Sequence, residues 1–425
     1  MTRARSLAQL GLAAQAGLLV VASLALLALV QGGSWTLGDL TPGLIFASLL
    51  LVAHSALLLA GYGAAETLLP LGGVLSGIGL VLAYRLGGED LGNHQLLWIA
   101  LGIGLALALC LVLRDAAQLR RHKYTWALLG LLLVTLTFAL GRDPNQSGAR
   151  LWLGAGPLMF QPSEFLKVML VIFFAGYLEE NREIMARGRL SLGFLKLPPL
   201  AHLLPLALMW LLSMLVLMIQ RDFGAAILFL GVFLAMLYVA TSRVSYLLAG
   251  SGAFLGGALL AYRWVGIVEL RVDAWLDPWS RAAGHGYQTI QGLISLASGG
   301  LFGSGLGQGR PDFVPASYTD LVLAALGEEM GFLGTLAVIV IYLLLVHRGY
   351  RIAIAANRPF DRLLATGLTT VLAVQALTIM GGTLRLLPLT GIPLPFLSYG
   401  GSSLVTNFAI LGLLLKIAGG RGLHV

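Results

Sequence analysis

Apolar runs long enough to cross a lipid bilayer recur along nearly the whole chain, and no water-soluble fold accommodates them. A membrane-spanning helix needs about 20 apolar residues. Twelve stretches meet that need, near residues 10–31, 42–62, 66–84, 96–113, 125–140, 163–179, 199–219, 223–241, 245–264, 321–346, 364–383 and 398–416. Composition agrees: charged residues make up 11% of the 425, against about 25% in soluble domains. A 58% hydrophobic fraction is too large for one core beneath a polar coat. Soluble enzymes, disordered chains and disulfide scaffolds are thereby excluded. Cys110 stands alone inside an apolar run, so cysteine carries no information about compartment.

Lys and Arg set the orientation, because short loops rich in them stay in the cytoplasm. With the N-terminus inside, inner segments hold 17 of the 27 Lys and Arg and outer segments hold 9, while Lys167 lies within a span. Both termini are therefore expected in the cytoplasm. The net charge of +8 is then the ordinary topological excess, and no nucleic-acid partner is expected. The first apolar run is about 22 residues, longer than the 7–15 of a signal-peptide core, so it reads as a retained helix.

Two outer loops exceed the usual length, at about 141–162 and 266–320. Loops that long are commonly functional. The stretch GYQTIQGLISLASGGLFGSG predicts a short helix broken by glycines, re-entrant or lying on the bilayer surface. Ionisable groups at a membrane count as functional candidates. Glu164 and Lys167, three apart in SEFLK, share a helix face and can pair or reach a polar cavity. Asp222 follows Arg221 at a tight turn and can cap the next helix, as can Asp320. On a straight helix over 321–346, Asp320 is expected at the outer interface and Glu328 about 12 Å further along. His54, His202 and His285 share no metal-ligand spacing and read as hydrogen-bonded structural residues. GSGLGQG (303–309) hints at a phosphate loop, but no strand precedes it and no Lys-Ser/Thr follows.

Five strings then become specific: GARLWLGAGPLMFQPSEFLK (148–167), QRDFGAAI (220–227), GYQTIQGLISLASGGLFGSGLGQG (286–309), FVPASYTDLVLAALGEEMGFLGT (313–335) and PLTGIPLPFLSYGGSSLV (388–405). In this order they resemble the SEDS family, the FtsW, RodA and SpoVE group of bacterial cell-wall polymerases, over roughly residues 66–416. The resemblance implies an all-α polytopic membrane protein of about twelve transmembrane helices. A ten-helix core (65–425) would follow an extra N-terminal pair (1–64), and the large outer loop would precede the tenth span. It also implies a peptidoglycan glycosyltransferase that polymerises lipid II on the outer face, working with a class B penicillin-binding protein.

By the same resemblance the family's essential aspartate falls on Asp320, and its important Glu and Lys fall on Glu164 and Lys167. Tyr318 stands where the family usually has His. The Arg beside the first outer-loop Trp is Arg150, displaced one place from Trp152. Arg150, Arg221, Asp222, Tyr318, Ser398 and Tyr399 join Glu164 and Lys167 as expected substrate-binding residues.

The chemistry suits such residues. A sugar hydroxyl attacks an anomeric carbon and expels a polyprenyl diphosphate, so a carboxylate that takes the hydroxyl proton helps by about 100- to 10,000-fold. Asp320 is the candidate. Lys167, Arg221 and Arg150, with Arg385 as a further cation, can meet the developing negative charge. The acidic residues can alternatively hold Mg²⁺ or Mn²⁺. A flippase for the same precursor is the competing class, but transporters keep their charges near the midplane, whereas here they gather at one face. A scaffold that only recruits the transpeptidase is a third reading.

Overall fold

The computed structural model describes residues 2–62, 67–143, 150–156, 159–187, 190–192, 195–197, 200–284 and 286–419. His285 and part of the first long outer loop lie outside them. In chain order the elements are α1 (Thr2–Gly32), α2 (Leu37–Leu59), α3 (Leu68–Val112), α4 (Ala117–Arg121), α5 (Lys123–Leu140), α6 (Pro162–Arg187), β1 (Leu190–Leu192) and β2 (Leu195–Leu197). Then follow α7 (Leu200–Ile219), α8 (Phe223–Thr241), α9 (Val244–Trp264), α10 (Gly266–Leu276), α11 (Tyr287–Ser298), α12 (Val322–Ala355), α13 (Pro359–Thr383) and α14 (Gly401–Gly419). The fold is helical as expected, apart from the small antiparallel β1–β2 pair, where the LSL and LKL strings alternate.

Ten of these helices are long and apolar enough to cross a membrane. One of the ten, α3, is long enough for two spans. At 45 residues a straight α3 would be about 68 Å long, but Gly88 breaks it with φ 68° and ψ −164°. The two arms lie side by side. Tyr62, ahead of α3, donates its hydroxyl to the Cys110 carbonyl near the far end, and Tyr84 reaches Asn93 across the break. Gly72 on one arm packs against Leu411, and Ala106 on the other packs against Gly412. Helix α6 exceeds the charge content of a simple span because it carries Glu164, Lys167, Glu179 and Glu180, yet its 26 residues reach about 39 Å. Counting it, the twelve apolar segments of the sequence are all present as helices. Their outward sides stay apolar, as on α9 with Leu255, Leu259 and Trp264 at 62%, 69% and 81% exposure, which suits a lipid solvent.

The chain forms two compact units. The first comprises Met1–Leu113, Leu270–Arg348 and Gln375–Val425. Here α14 seats in the α3 hairpin, with Phe408 against Gly102 and Trp98 against Gly401. The α1–α2 pair packs on the first arm of α3, where Gly77 admits Val20 and Phe46 and Gly73 admits Leu50. His54 on α2 is buried with neither ring nitrogen hydrogen-bonded, contrary to the expectation for it.

The second unit comprises Arg114–Glu269 and Gly349–Val374. Its core is aromatic and centres on α6: Tyr124 meets Phe173, Phe174 meets Phe233, and Trp210 stacks on Phe233 at 5.3 Å. Arg120 pairs with Glu179 at 2.9 Å and Lys123 pairs with Glu180. His202 meets Asn181 at 2.9 Å, the structural role expected of it.

Candidate active site

Helix α12 does not run straight through its acidic start. Gly331 breaks it, with φ 67° and ψ −169°, and the arm before the break folds back along the arm after it. Contacts fix this. Thr319 accepts a hydrogen bond from Ser398 at 2.5 Å, and Tyr342 donates to the Pro395 carbonyl at 2.5 Å. A straight helix would put residues 319 and 342 about 35 Å apart, whereas residues 395 and 398 span at most about 11 Å. The straight course expected of this helix is therefore not followed. Glu328 and Glu329 stand at the break, and Asp320 lies about 15 Å from it, alongside the long arm.

A broken helix frees backbone groups that hydrocarbon cannot satisfy. The glycine-rich stretch after α11 supplies their partners. Ser304 and Gly305 amides donate to the Glu328 and Glu329 carbonyls at 2.9 and 3.0 Å, and the Phe332 and Leu333 amides donate to Gly300 and Leu301. The two carboxylates are paired as fully. Glu328 accepts from the Arg310 amide at 2.6 Å and the Ser295 hydroxyl at 2.7 Å. Glu329 accepts from Arg85 at 2.9 Å and the Gly307 amide at 3.1 Å, while Arg85 also donates to the Gly309 carbonyl. The GSGLGQG segment thus spends its amides on the same chain, Ser304 and Gly305 on the carbonyls at the break and Gly307 on the Glu329 carboxylate, which accounts for a glycine motif that lacks the other parts of a phosphate loop.

Asp320 sits just ahead of α12 and is held by the irregular segment that precedes α14. Ser398 accepts from the Leu394 amide at 2.9 Å as it donates to Thr319, and the Tyr399 amide donates to the Tyr318 carbonyl at 2.8 Å. The Tyr318 and Tyr399 rings meet edge to face at 6.0 Å. Expected to bind substrate, Ser398 is instead buried with its hydroxyl committed as donor and acceptor; it positions the Asp320 turn. Tyr318 keeps 38% exposure. Gly391, at φ 75°, borders the carboxylate: a Cβ there would lie 3.9 Å from Asp320 Oδ2, in ordinary contact. Asp320 retains partial exposure although protein surrounds it deeply. That burial pushes its carboxyl up to about 6, against the opposing pull of the Arg271 charge and a hydrogen bond from the Thr319 hydroxyl.

Arg271, on α10, is the cation the sequence reading missed. It reaches the Thr390 carbonyl at 3.4 Å, next to the Gly391 that borders Asp320. Nothing in its local pattern marked it, because α10 falls in what reads as loop. Arg385 has a different duty. Its guanidinium donates to the Trp275 and Leu276 carbonyls at 2.8 and 2.5 Å, and Trp275 donates back to the Arg385 carbonyl at 3.0 Å. It caps the C-terminus of α10, where a cation complements the helix dipole, and so holds the helix that carries Arg271.

The remaining expected residues belong to the second unit. Lys167 and Glu164 pair at 2.5 Å, both buried, and Lys167 borders a small cavity otherwise lined by Leu170, Val171, Phe174, Phe229, Val232 and Val371. Asp222 caps α8 by accepting from the Ala225 amide at 3.1 Å, and it also takes hydrogen bonds from Ser163 and Gln161 at 3.3 and 3.4 Å. These tie the turn to the start of α6. Arg221, at φ 61°, and Arg150 are exposed. Arg142 pairs backbone with Trp152 beside Arg150. Asp320 with Arg271 forms one group and Glu164, Lys167 and Asp222 another, each within its own unit.

A many-spanning helical membrane protein whose partly exposed carboxylate is set on unwound backbone beside a cation belongs among enzymes acting on membrane-borne substrates. Residues 67–421 match the family model described as "Cell cycle protein", that of FtsW, RodA and SpoVE. The chain belongs to this family. It is 39% identical over 401 residues to the peptidoglycan glycosyltransferase RodA of Mycobacterium tuberculosis, covering 92% of this chain and 85% of that one. Among solved structures it resembles a chain of a peptidoglycan synthase complex that coordinates polymerization and crosslinking, with TM-score 0.68 and 29% identity over 83% of this chain and 96% of that one. It likewise resembles the rod shape determining protein RodA of Thermus thermophilus, with TM-score 0.60 and 29% identity over 83% and 95%.

Proposed function

We propose that this peptidoglycan glycosyltransferase polymerises lipid II on the outer face of the bacterial cytoplasmic membrane, with both termini in the cytoplasm and Asp320 as its general base. One observation carries the reading: a carboxyl raised to about 6 keeps an opening to its surroundings, on backbone fixed by Ser398 and Tyr399. A carboxyl raised in this way is still largely ionised at pH 7, so the base is ready and close in affinity to the proton it must accept.

In the reaction the acceptor sugar hydroxyl forms a bond to the donor's anomeric carbon as that carbon's bond to the diphosphate breaks. The hydroxyl proton passes to Asp320. The diphosphate leaves as an anion and needs no acid. Arg271 is placed to meet part of its charge, and the exposed Arg150 and Arg221 offer cations to the anionic parts of the lipid-linked substrates. Glu164, Lys167 and Asp222 act on substrate through the shape they give the α6 and α8 ends. Among the described residues no three His, Cys, Asp or Glu side chains gather as a metal cluster. A lone carboxylate still fits Mg²⁺ or Mn²⁺ of the kind that substrate phosphates complete. Such a cation, held by Asp320, would supply charge to the leaving diphosphate. The likeness to a chain of a synthase complex supports a class B penicillin-binding protein as the partner. In sequence this chain reads as an N-terminal pair (1–64) ahead of a core (65–425), and the pair packs within the first compact unit.

The test is polymerisation of labelled lipid II by the purified protein with its transpeptidase and a divalent cation. Asp320→Asn should fold, keep its partner and lose about 100- to 10,000-fold in glycan synthesis. Full activity in this variant would refute the base. Lipid II translocation without polymer, equal in both proteins, would mean a flippase.

A further inference from the structure

The α1–α2 pair is not a loose appendage. Beyond the fit of Gly77 and Gly73 to Val20, Phe46 and Leu50, the two helices touch each other where Gly17 meets Ala47 and Gly43 meets Val21. The far end of α1 then reaches the glycine-rich strap itself: a Cβ on Gly307 would lie 3.2 Å from Leu27 Cδ1 and 3.2 Å from Val30 Cγ1. Leu27 is buried there at 5% exposure.

From these contacts we infer that Leu27 and Val30 are positioning residues: the N-terminal helix pair braces the 303–310 strap from behind and so holds the broken start of α12 in its working geometry. Each link is a direct contact. Gly307, which α1 touches, donates its amide to Glu329. Glu329 also takes Arg85 from the α3 arm on which the pair is packed, and Arg85 closes the loop onto Gly309. The Glu328 and Glu329 carbonyls at the break are bonded by the same strap. From that break the folded-back arm leads to Asp320. The strap's glycines bring almost no side chains of their own to pack, so its position depends on what lies against it. Its carboxylates secure one side and α1 secures the other. An ångström of drift in a catalytic group costs up to about 100-fold in rate.

The consequence for turnover rests on the role proposed for Asp320, but the brace itself is testable without it. A nitroxide on Gln308→Cys reports strap motion, since Gln308 is exposed and Cys110 is buried. In the full-length protein, Leu27→Ala with Val30→Ala should narrow the nitroxide spectrum and lower lipid II turnover by about 10- to 100-fold, with KM held within about twofold. Leu27→Met with Val30→Ile should restore both. Leu18→Ala, on a lipid-facing site of α1 with 69% exposure, should change neither. Should the double variant fail to fold, Val30→Ala alone, at a position already 37% exposed, must still loosen the strap. An unchanged spectrum in the alanine variants, or an equal change in Leu18→Ala, overturns the brace. A loosened strap in a protein whose Asp320→Asn form polymerises normally keeps the brace and discards the base.

Discussion

At the scale of single residues, Asp320 couples burial to chemistry. As the proposed base, its carboxyl must be ionised to accept a proton, and burial raises that ionisation to about pH 6. Glycan synthesis should therefore fall as pH drops through about 6 and level off above it, a profile to be measured on lipid II with the folded complex. Arg271 favours the ionised form, so Arg271→Gln should move the acid limb to higher pH, whereas Arg271→Lys should leave it nearer its native place. Because burial disfavours the charged carboxylate, Asp320→Asn should melt no lower than the native protein at pH 8 even as activity is lost. Glu164 and Lys167 pose the opposite case. Removing one member of a buried pair leaves the other unmatched, at about 3–5 kcal/mol. Lys167→Met should lower the melting temperature in detergent sharply, and adding Glu164→Gln should recover most of the loss.

At the scale of elements, two helices of this chain are hairpins in which a glycine makes the bend, and the bends differ in what surrounds them. Around Gly88 a Cβ meets nothing within 4 Å, but at Gly331 it would lie 2.3 Å from the Gly303 nitrogen and 2.6 Å from the Leu301 oxygen. Gly88→Ala should then cost only the backbone strain, about 1–3 kcal/mol. Gly331→Ala should in addition push the strap off the break and abolish polymerisation; comparison of the two variants by thermal unfolding and by activity separates strain from clash. The same element-level view explains Arg385. Its capping of α10 is a helix-end interaction whose partner lies more than a hundred residues away, so its own stretch of sequence said nothing about its use.

At the scale of the whole chain, the excess of Lys and Arg on alternate connections sets the direction in which twelve helices are threaded. Single cysteines at Phe302 and Asn357, both exposed, test it. An impermeant maleimide on intact cells should label the first and spare the second, and the reverse pattern would invert the topology. Much was legible beforehand. The apolar segments, the helical class and the family all follow from local runs and strings, because a bilayer demands about 20 apolar residues wherever a chain crosses it and because short motifs need no fold to be read. What remained hidden was how segments distant in sequence complete one another: the start of α12 folded back at Gly331, Ser398 spent on the Thr319 carbonyl, Gly307 bonded to the Glu329 carboxylate, Arg271 beside Asp320 and α1 against Gly307. A run of apolar residues reports its own helix, but no run reports which backbone groups a bend will leave open or which remote segment closes them. Hydrocarbon offers those groups no water, so only the folded chain could decide their partners, and with them the placement of the Asp320 carboxylate.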